Sequence, residues 1–172
     1  MRSYILSILK LVYVTHISSP ELGFLQSISR RVSSKTKLVY SIPDKITSDP
    51  STNQTYSSML SNLTFIKETA SGIMVPKSYI WPVGNDNYLQ PSKSIVQDAH
   101  KAGLEIHASD FANDRPMPYN YSYDPLQEYL SFVSNGDFSV DGVLTEFPIT
   151  ASEAIGKLRS ITFCLILYLS NH

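Results

Sequence analysis

Short runs of apolar residues recur along the chain, and each is followed by a stretch whose apolar positions fall three and four residues apart. Residues 9–17, rich in Leu, Val, Ile and Tyr, predict a buried strand that ends at Ser18, Ser19 and Pro20. Ser19 is placed to cap a helix with Pro20 at its first position, and Leu22, Leu25 and Ile28 then share one face through about Arg31. Residues 37–42 (KLVYSI) repeat the strand signal, residues 43–50 form a polar loop, and residues 55–70 place Tyr56, Met59, Leu60, Leu63, Phe65 and Ile66 at helical spacing.

The alternation continues. Residues 72–75 (GIMV) predict a third strand, a long loop carries Trp81 and Tyr88, and a helix runs over about 91–102 with Gly103 at its C-terminal cap. Residues 104–109 (LEIHAS) suit a fourth strand, followed by a loop rich in Asn, Pro and Tyr and a helix over 124–133 capped by Asp124 before Pro125. Residues 140–147 (VDGVLTEF) close the series, with a last helix over 150–158 in which Thr150 and Glu153 form a capping box. Five strand and helix units predict a parallel sheet with helices packed outside it, either an open α/β sheet or part of a barrel. Eight units and about 250 residues make a closed (β/α) barrel.

Composition narrows the function classes. At 172 residues and 42% hydrophobic content the chain supports one globular domain, and a formal charge of −1 gives no broad field for phosphate backbones, so nucleic acid is not an expected partner. Cys164 is the lone cysteine, which excludes an intrachain disulfide and a cysteine-built zinc site. Lys10 interrupts the apolar start and no convincing cleavage site follows, so a signal peptide is not assigned. The apolar run at 161–169 is about half the length of a membrane-spanning helix, so no transmembrane span is expected. Asn53, Asn62 and Asn120 each open an N-glycosylation triplet.

Longer stretches carry a resemblance: ISSPE at 17–21, TNQTY at 52–56, SGIMVPKSYIWPV at 71–83, DAHKAGLE at 98–105, FAND at 111–114, YNYSYDP at 119–125, EYLSF at 128–132 and NGDFSVDGVL at 135–144. On these runs the chain resembles the plant glycerophosphodiester phosphodiesterase-like family, most of all the first domain of its tandem-domain cell-surface members. The resemblance covers residues 14–155, with a divergent segment at 1–13 and a divergent tail at 156–172. It implies an α/β fold, a partial TIM-type (β/α) barrel holding only the C-terminal strands and helices. The implied activity is metal-dependent hydrolysis of a glycerophosphodiester to glycerol 3-phosphate and an alcohol, with Ca or Mg as cofactor and a small glycerophosphodiester as partner. The cell-surface habit of the family suggests a secreted, cell-wall or plasma-membrane-surface location.

That chemistry needs a cation held by carboxylates and a general acid and base. The family draws these from the front half of its barrel, in His-Arg-Gly, Glu-Asn-Thr, Glu-x-Asp and His-Asp motifs, and none of these occurs here. No catalytic residue and no metal ligand is therefore assigned, and the chain is expected to be a fragment, from a truncated or misjoined gene model, that is inactive alone. The alternative is a non-catalytic cell-wall or glycan-binding module. An open half-barrel also exposes edges through which copies can associate.

Substrate-pocket candidates come from the ends of the strands, the active face of such barrels. Lys77 follows the third strand and either meets a phosphate oxygen or is simply solvated. His107 lies within a strand whose alternation leaves open whether it points into the barrel or against a helix, and a packed histidine is the expectation. Asp110 follows that strand, and Glu146 ends the last one with a modest part in lining a pocket. Trp81 and the tyrosines of the loops either stack on a polyol or sugar ring or pack the loops onto the rim.

Overall fold

The computed structural model describes Ser7, residues 14–156 and the backbone of residues 166–168. The expected alternation is present as β1 (His16–Ser19) and α1 (Leu22–Ser29), then β2 (Lys37–Ser41) with two short helices, α2 (Tyr56–Leu60) and α3 (Leu63–Lys67). It continues through β3 (Gly72–Pro76) and α4 (Ile95–Lys101), β4 (Glu105–Phe111) and α5 (Pro125–Val133), and β5 (Gly142–Thr145) and α6 (Pro148–Gly156). A sixth strand, β6 (Ile166–Tyr168), lies beside β1, so the sheet order is β5-β4-β3-β2-β1-β6 with every pair parallel.

The sheet is curled. On a flat sheet, β1 and β4 would stand three strand spacings apart, roughly 14 Å. Instead the imidazole of His16 on β1 comes within 3.4 Å of the Glu105 carboxylate on β4. Only a sheet bent about its strand axis brings those side chains together. Strands β1 to β5 with their helices thus form a curled half-barrel of the TIM type.

Alternation assigns the two faces. Ile17, Leu38, Tyr40, Ile73, Val75, Ile106 and Ala108 point outward and pack with Leu25 and Ile28 of α1, Val96 and Ala99 of α4 and Phe132 of α5 in one buried cluster. Each fully buried Ile or Leu there contributes about 1.5–3 kcal/mol relative to exposure. The intervening positions face the concave side, where the parallel registers set His16 beside Lys37, Gly72 beside Glu105, Met74 beside His107 and His107 beside Gly142. Glu105 and His107, two apart on one strand, share that face.

Several boundaries differ from the sequence reading, each for a local reason. Helix α1 starts at Leu22, with Glu21 rather than Ser19 at its cap position. Its first two amides are met from 27 and 28 residues away: Leu22 N donates to Asp49 Oδ2 at 2.9 Å and Gly23 N to Ser51 Oγ at 2.9 Å. The single helix expected over 55–70 is two, because Asn62 leaves helical geometry and caps the second by accepting from Phe65 N. The fourth helix begins at Ile95 rather than near residue 91. Asp124 does cap α5, accepting from Leu126 N, and Gly103 does take the left-handed conformation, φ 74°, after α4.

The expected capping box is not formed. Helix α6 begins at Pro148, which puts Thr150 inside it, where its hydroxyl accepts from Asn113 Nδ2 at 2.7 Å. The apolar run at 161–169, excluded as a membrane span, supplies β6, and no helix among the described residues is long and apolar enough to cross a membrane. Residues 9–13 of the first expected strand, residues 157–158 of the last expected helix, nearly all of the segment weighed as a signal peptide, and Cys164 lie outside the described residues.

Candidate functional site

The C-terminal ends of the strands, where barrel chemistry is expected, hold two buried carboxylates that are already engaged. Asp49, in the loop after β2, is fully buried and accepts four hydrogen bonds. Its Oδ2 takes Leu22 N and the Tyr40 hydroxyl at 2.8 Å, and its Oδ1 takes the amide and the hydroxyl of Ser51 at 2.7 and 2.6 Å. Burial, followed by the bond to Asp49 and the charge of that carboxylate, pushes the Tyr40 hydroxyl far above the ordinary tyrosine range. Gly23 lets this loop close, since a Cβ there would stand 2.8 Å from Ser51 Cβ.

Lys77 begins the turn after β3, and its ammonium is 2.7 Å from Oε1 of Glu128 on α5, a carboxylate whose residue is only 2% exposed. The ammonium also lies 5.2 Å over the Phe111 ring. Phe111 meets Phe132 edge to face at 5.1 Å, and Phe132 meets Trp81 at 5.2 Å. Lys77 and Trp81 are thus joined through two packed rings. Tyr119 meets Tyr88 and Tyr123 edge to face, and the first of these contacts joins the two loops that carry them. Asp110 is exposed with φ 69°, and Glu146 lies 3.5 Å from Arg115 at the surface. Asn53, Asn62 and Asn120 are all exposed.

At the opposite end, where strands begin, the concave face assembles a cluster that the sequence reading did not group. His16 Nε2 lies 3.4 Å and His107 Nε2 lies 3.7 Å from the same oxygen, Oε2 of Glu105. The two rings meet edge to face at 5.5 Å. The ammonium of Lys37, which neighbours His16 in register, bonds the other oxygen of Glu105. His107, His16 and then Lys37 hold the Glu105 carboxyl well below the usual carboxylate range, against its partial burial. His107 is 1% exposed, and neither of its ring nitrogens has a hydrogen-bond partner. Gly142 makes room for it: a Cβ there would stand 2.5 Å from Nδ1. Of the candidates, only His107 is in this cluster; Glu105 joins it by its i, i+2 spacing on β4, and His16 by the curl, which no local spacing displays.

His16, Glu105 and His107 are, among the described residues, the one group of three or more His, Cys, Asp or Glu whose ligand atoms lie within 4.8 Å of each other. Ca and Mg take six or more oxygen ligands, so a set of two imidazoles and one carboxylate does not suit either ion. The family's Ca or Mg is therefore not matched by these residues.

No family model matches the chain. Single relatives do: the chain is 54% identical to Glycerophosphodiester phosphodiesterase GDPDL1 of Arabidopsis thaliana over 156 residues, 90% of this chain and 20% of the relative. The chain belongs to the glycerophosphodiester phosphodiesterase-like family. It is also 53% identical to GDPDL3 of the same plant over 156 residues, 90% of this chain and 21% of the relative. With GDPDL7 it shares 56% over 140 residues, 81% of this chain and 19% of the relative. The chain spans about a fifth of the length of these phosphodiesterase-like relatives.

Proposed function

We propose that this half-barrel is the C-terminal half of a glycerophosphodiester phosphodiesterase domain, that it forms one wall of a site for a small glycerophosphodiester, and that it does not hydrolyse the diester alone. The single observation that carries the reading is the agreement of 54% identity across 90% of the chain with a curled sheet of consecutive parallel strands. Hydrolysis requires an acid and base pair and clustered oxygen ligands for a cation. In this family those groups come with the strands that carry the His-Arg-Gly and Glu-x-Asp motifs, which this sequence does not contain.

The residues at the strand ends support a wall rather than a reacting centre. Lys77 is neutralised by Glu128, and the two hold α5 against the end of β3. Trp81 meets the buried Phe132 edge to face, which favours packing over a free platform for a sugar at that ring, whereas Tyr88, Tyr119 and Tyr123 stay exposed.

The test is to incubate the purified chain with glycerophosphocholine and Ca²⁺ or Mg²⁺ and to measure glycerol 3-phosphate, alone and after mixing with a half-domain that carries the His-Arg-Gly motif. The expected result is background release alone and turnover in the mixture. Release by the chain alone well above background overturns the proposal.

A further inference from the structure

We propose that His16 Nε2, Glu105 Oε2 and His107 Nε2 bind one divalent transition-metal ion of the zinc class at the end of the half-barrel where the strands begin. The site lies at the opposite end from the face where the diester would react, and it is independent of the family's Ca or Mg.

Donor spacing is the first argument. A hydrogen bond from an imidazole to a carboxylate brings the heavy atoms to about 2.7–3.2 Å. Here His16 makes only a long bond to one carboxylate oxygen, at 3.4 Å, and His107 stands 3.7 Å from the same atom, beyond bonding distance. A tetrahedral ion with bonds of ~2.1 Å separates its ligand atoms by ~3.4 Å. The two imidazole-to-carboxylate distances match that spacing, and the three residues offer ligand atoms within 4.8 Å of one another.

His107 supplies the second argument. A buried imidazole with neither nitrogen paired is unfavourable, because its polar atoms have left water without a replacement. An ion at Nε2 satisfies one of the two, while Nδ1 remains against Gly142. The carboxylate is prepared in the way ligating carboxylates are: Lys37 takes Oε1, fixes the plane of the group and leaves Oε2 toward both imidazoles. Glu105 is partly exposed, which gives an ion a route in from solvent and a fourth position open to water.

Two nitrogens and one oxygen select the ion class. Imidazole suits Zn, Cu and Ni, and two imidazoles with a carboxylate and an open position form a common zinc set. Binding would tie β1 to β4, strands that are not neighbours in the sheet, and so hold the curl. An ion that binds the folded chain and not the unfolded one raises the melting temperature in proportion to its occupancy.

The test uses the full chain stripped with a chelator and titrated with Zn²⁺, Co²⁺ and Ca²⁺. Calorimetry is expected to show one Zn²⁺ per chain and no saturable Ca²⁺ binding there. The Co²⁺ form is expected to show the intense visible absorption of a four-coordinate site. H16Q, E105Q and H107Q should each weaken Zn²⁺ binding about tenfold or more, whereas H100Q, at an exposed histidine paired with Asp141 at 2.9 Å, should leave it unchanged. His107→Leu should lose the Zn²⁺-induced rise in Tm while melting no lower than the metal-free wild type. Full-affinity binding in the H16Q/H107Q double variant, or no binding to the wild type, overturns the proposal. If a glutamine variant fails to fold, X-ray absorption of the wild-type zinc form decides, since anything other than two imidazoles on the ion rejects the site.

Discussion

The two ends of the half-barrel solve the same problem in opposite ways. At the end where strands finish, the two buried carboxylates are matched: Asp49 has four donors and Glu128 has the Lys77 ammonium. At the end where strands start, Glu105 has a long 3.4 Å bond with His16 and stands 3.7 Å from His107, and both nitrogens of His107 lack a partner. The difference teaches that burial alone does not identify a reactive site. A satisfied carboxylate such as Asp49 organises backbone, whereas a buried imidazole with both nitrogens unpaired, set beside a preorganised carboxylate, has capacity for a ligand.

The largest expected effect tests the closed end. Asp49→Ala removes the acceptor for Leu22 N, the Tyr40 hydroxyl and Ser51 at once, inside a fully buried setting. Leaving buried donors unmatched is expected to lower stability by about 3 kcal/mol, read as a shift of the urea midpoint. Asp49→Asn keeps one oxygen and should lose roughly half of that. A loss below about 1 kcal/mol for the alanine variant would show that water replaces the carboxylate and that this end is not closed in the sense argued.

Next in size is the buried ion pair. Lys77→Met leaves the Glu128 carboxylate charged and alone, with an expected loss of about 2–3 kcal/mol, less than for a fully enclosed pair because Lys77 is partly exposed. The double variant Lys77→Met/Glu128→Leu should recover most of it, since two apolar side chains of similar volume need no partner. A double-mutant cycle in urea measures the coupling. Additive losses would show that the pair does not hold α5 to β3, and would return Lys77 to the role of a free cation at the pocket.

How far the sequence displayed these two ends follows from the range over which each feature is encoded. Strands and helices were legible because their apolar period is local, and the cap of α5 was legible because Asp124 acts two residues away. The cap of α1 was not, because Asp49 and Ser51 reach it from 27 and 28 residues along, inside what reads as a polar loop. The capping box at Thr150 and Glu153 was legible but false, since Pro148 starts the helix two residues earlier and Asn113 takes the threonine hydroxyl. Alternation could not decide the direction of His107, because both faces of β4 are buried at that point. The grouping with Glu105 follows from their i, i+2 spacing, but the grouping with His16 needs the curl of four strands, a property of the whole sheet that no window of sequence contains.

The smallest expected effect sets the two ends apart by alkali. Tyr40, Tyr121 and Tyr129 all lie toward the closed end, and burial raises the hydroxyl of each. For Tyr121 the value is pushed up to about 12: burial is the main cause, the charge of Glu128 adds to it, and the hydrogen bond from Ser131 opposes it. A hydroxyl that ionises near 10 when unfolded and near 12 when folded contributes its full stability below pH 10. That contribution falls as pH rises through 12, because the unfolded chain releases the proton first, and at pH 11 the difference amounts to about 1 kcal/mol. Tyr121→Phe removes this share of the slope, so the stability of wild type and variant should be offset by a constant below pH 10 and converge in the variant's favour between pH 10 and 12. Urea titrations at half-unit steps, with tyrosinate absorbance followed in parallel, measure it. Curves that stay parallel across that window would mean that Tyr121 ionises as it does in the unfolded chain, which would open the end that its neighbours Glu128 and Ser131 are argued to close.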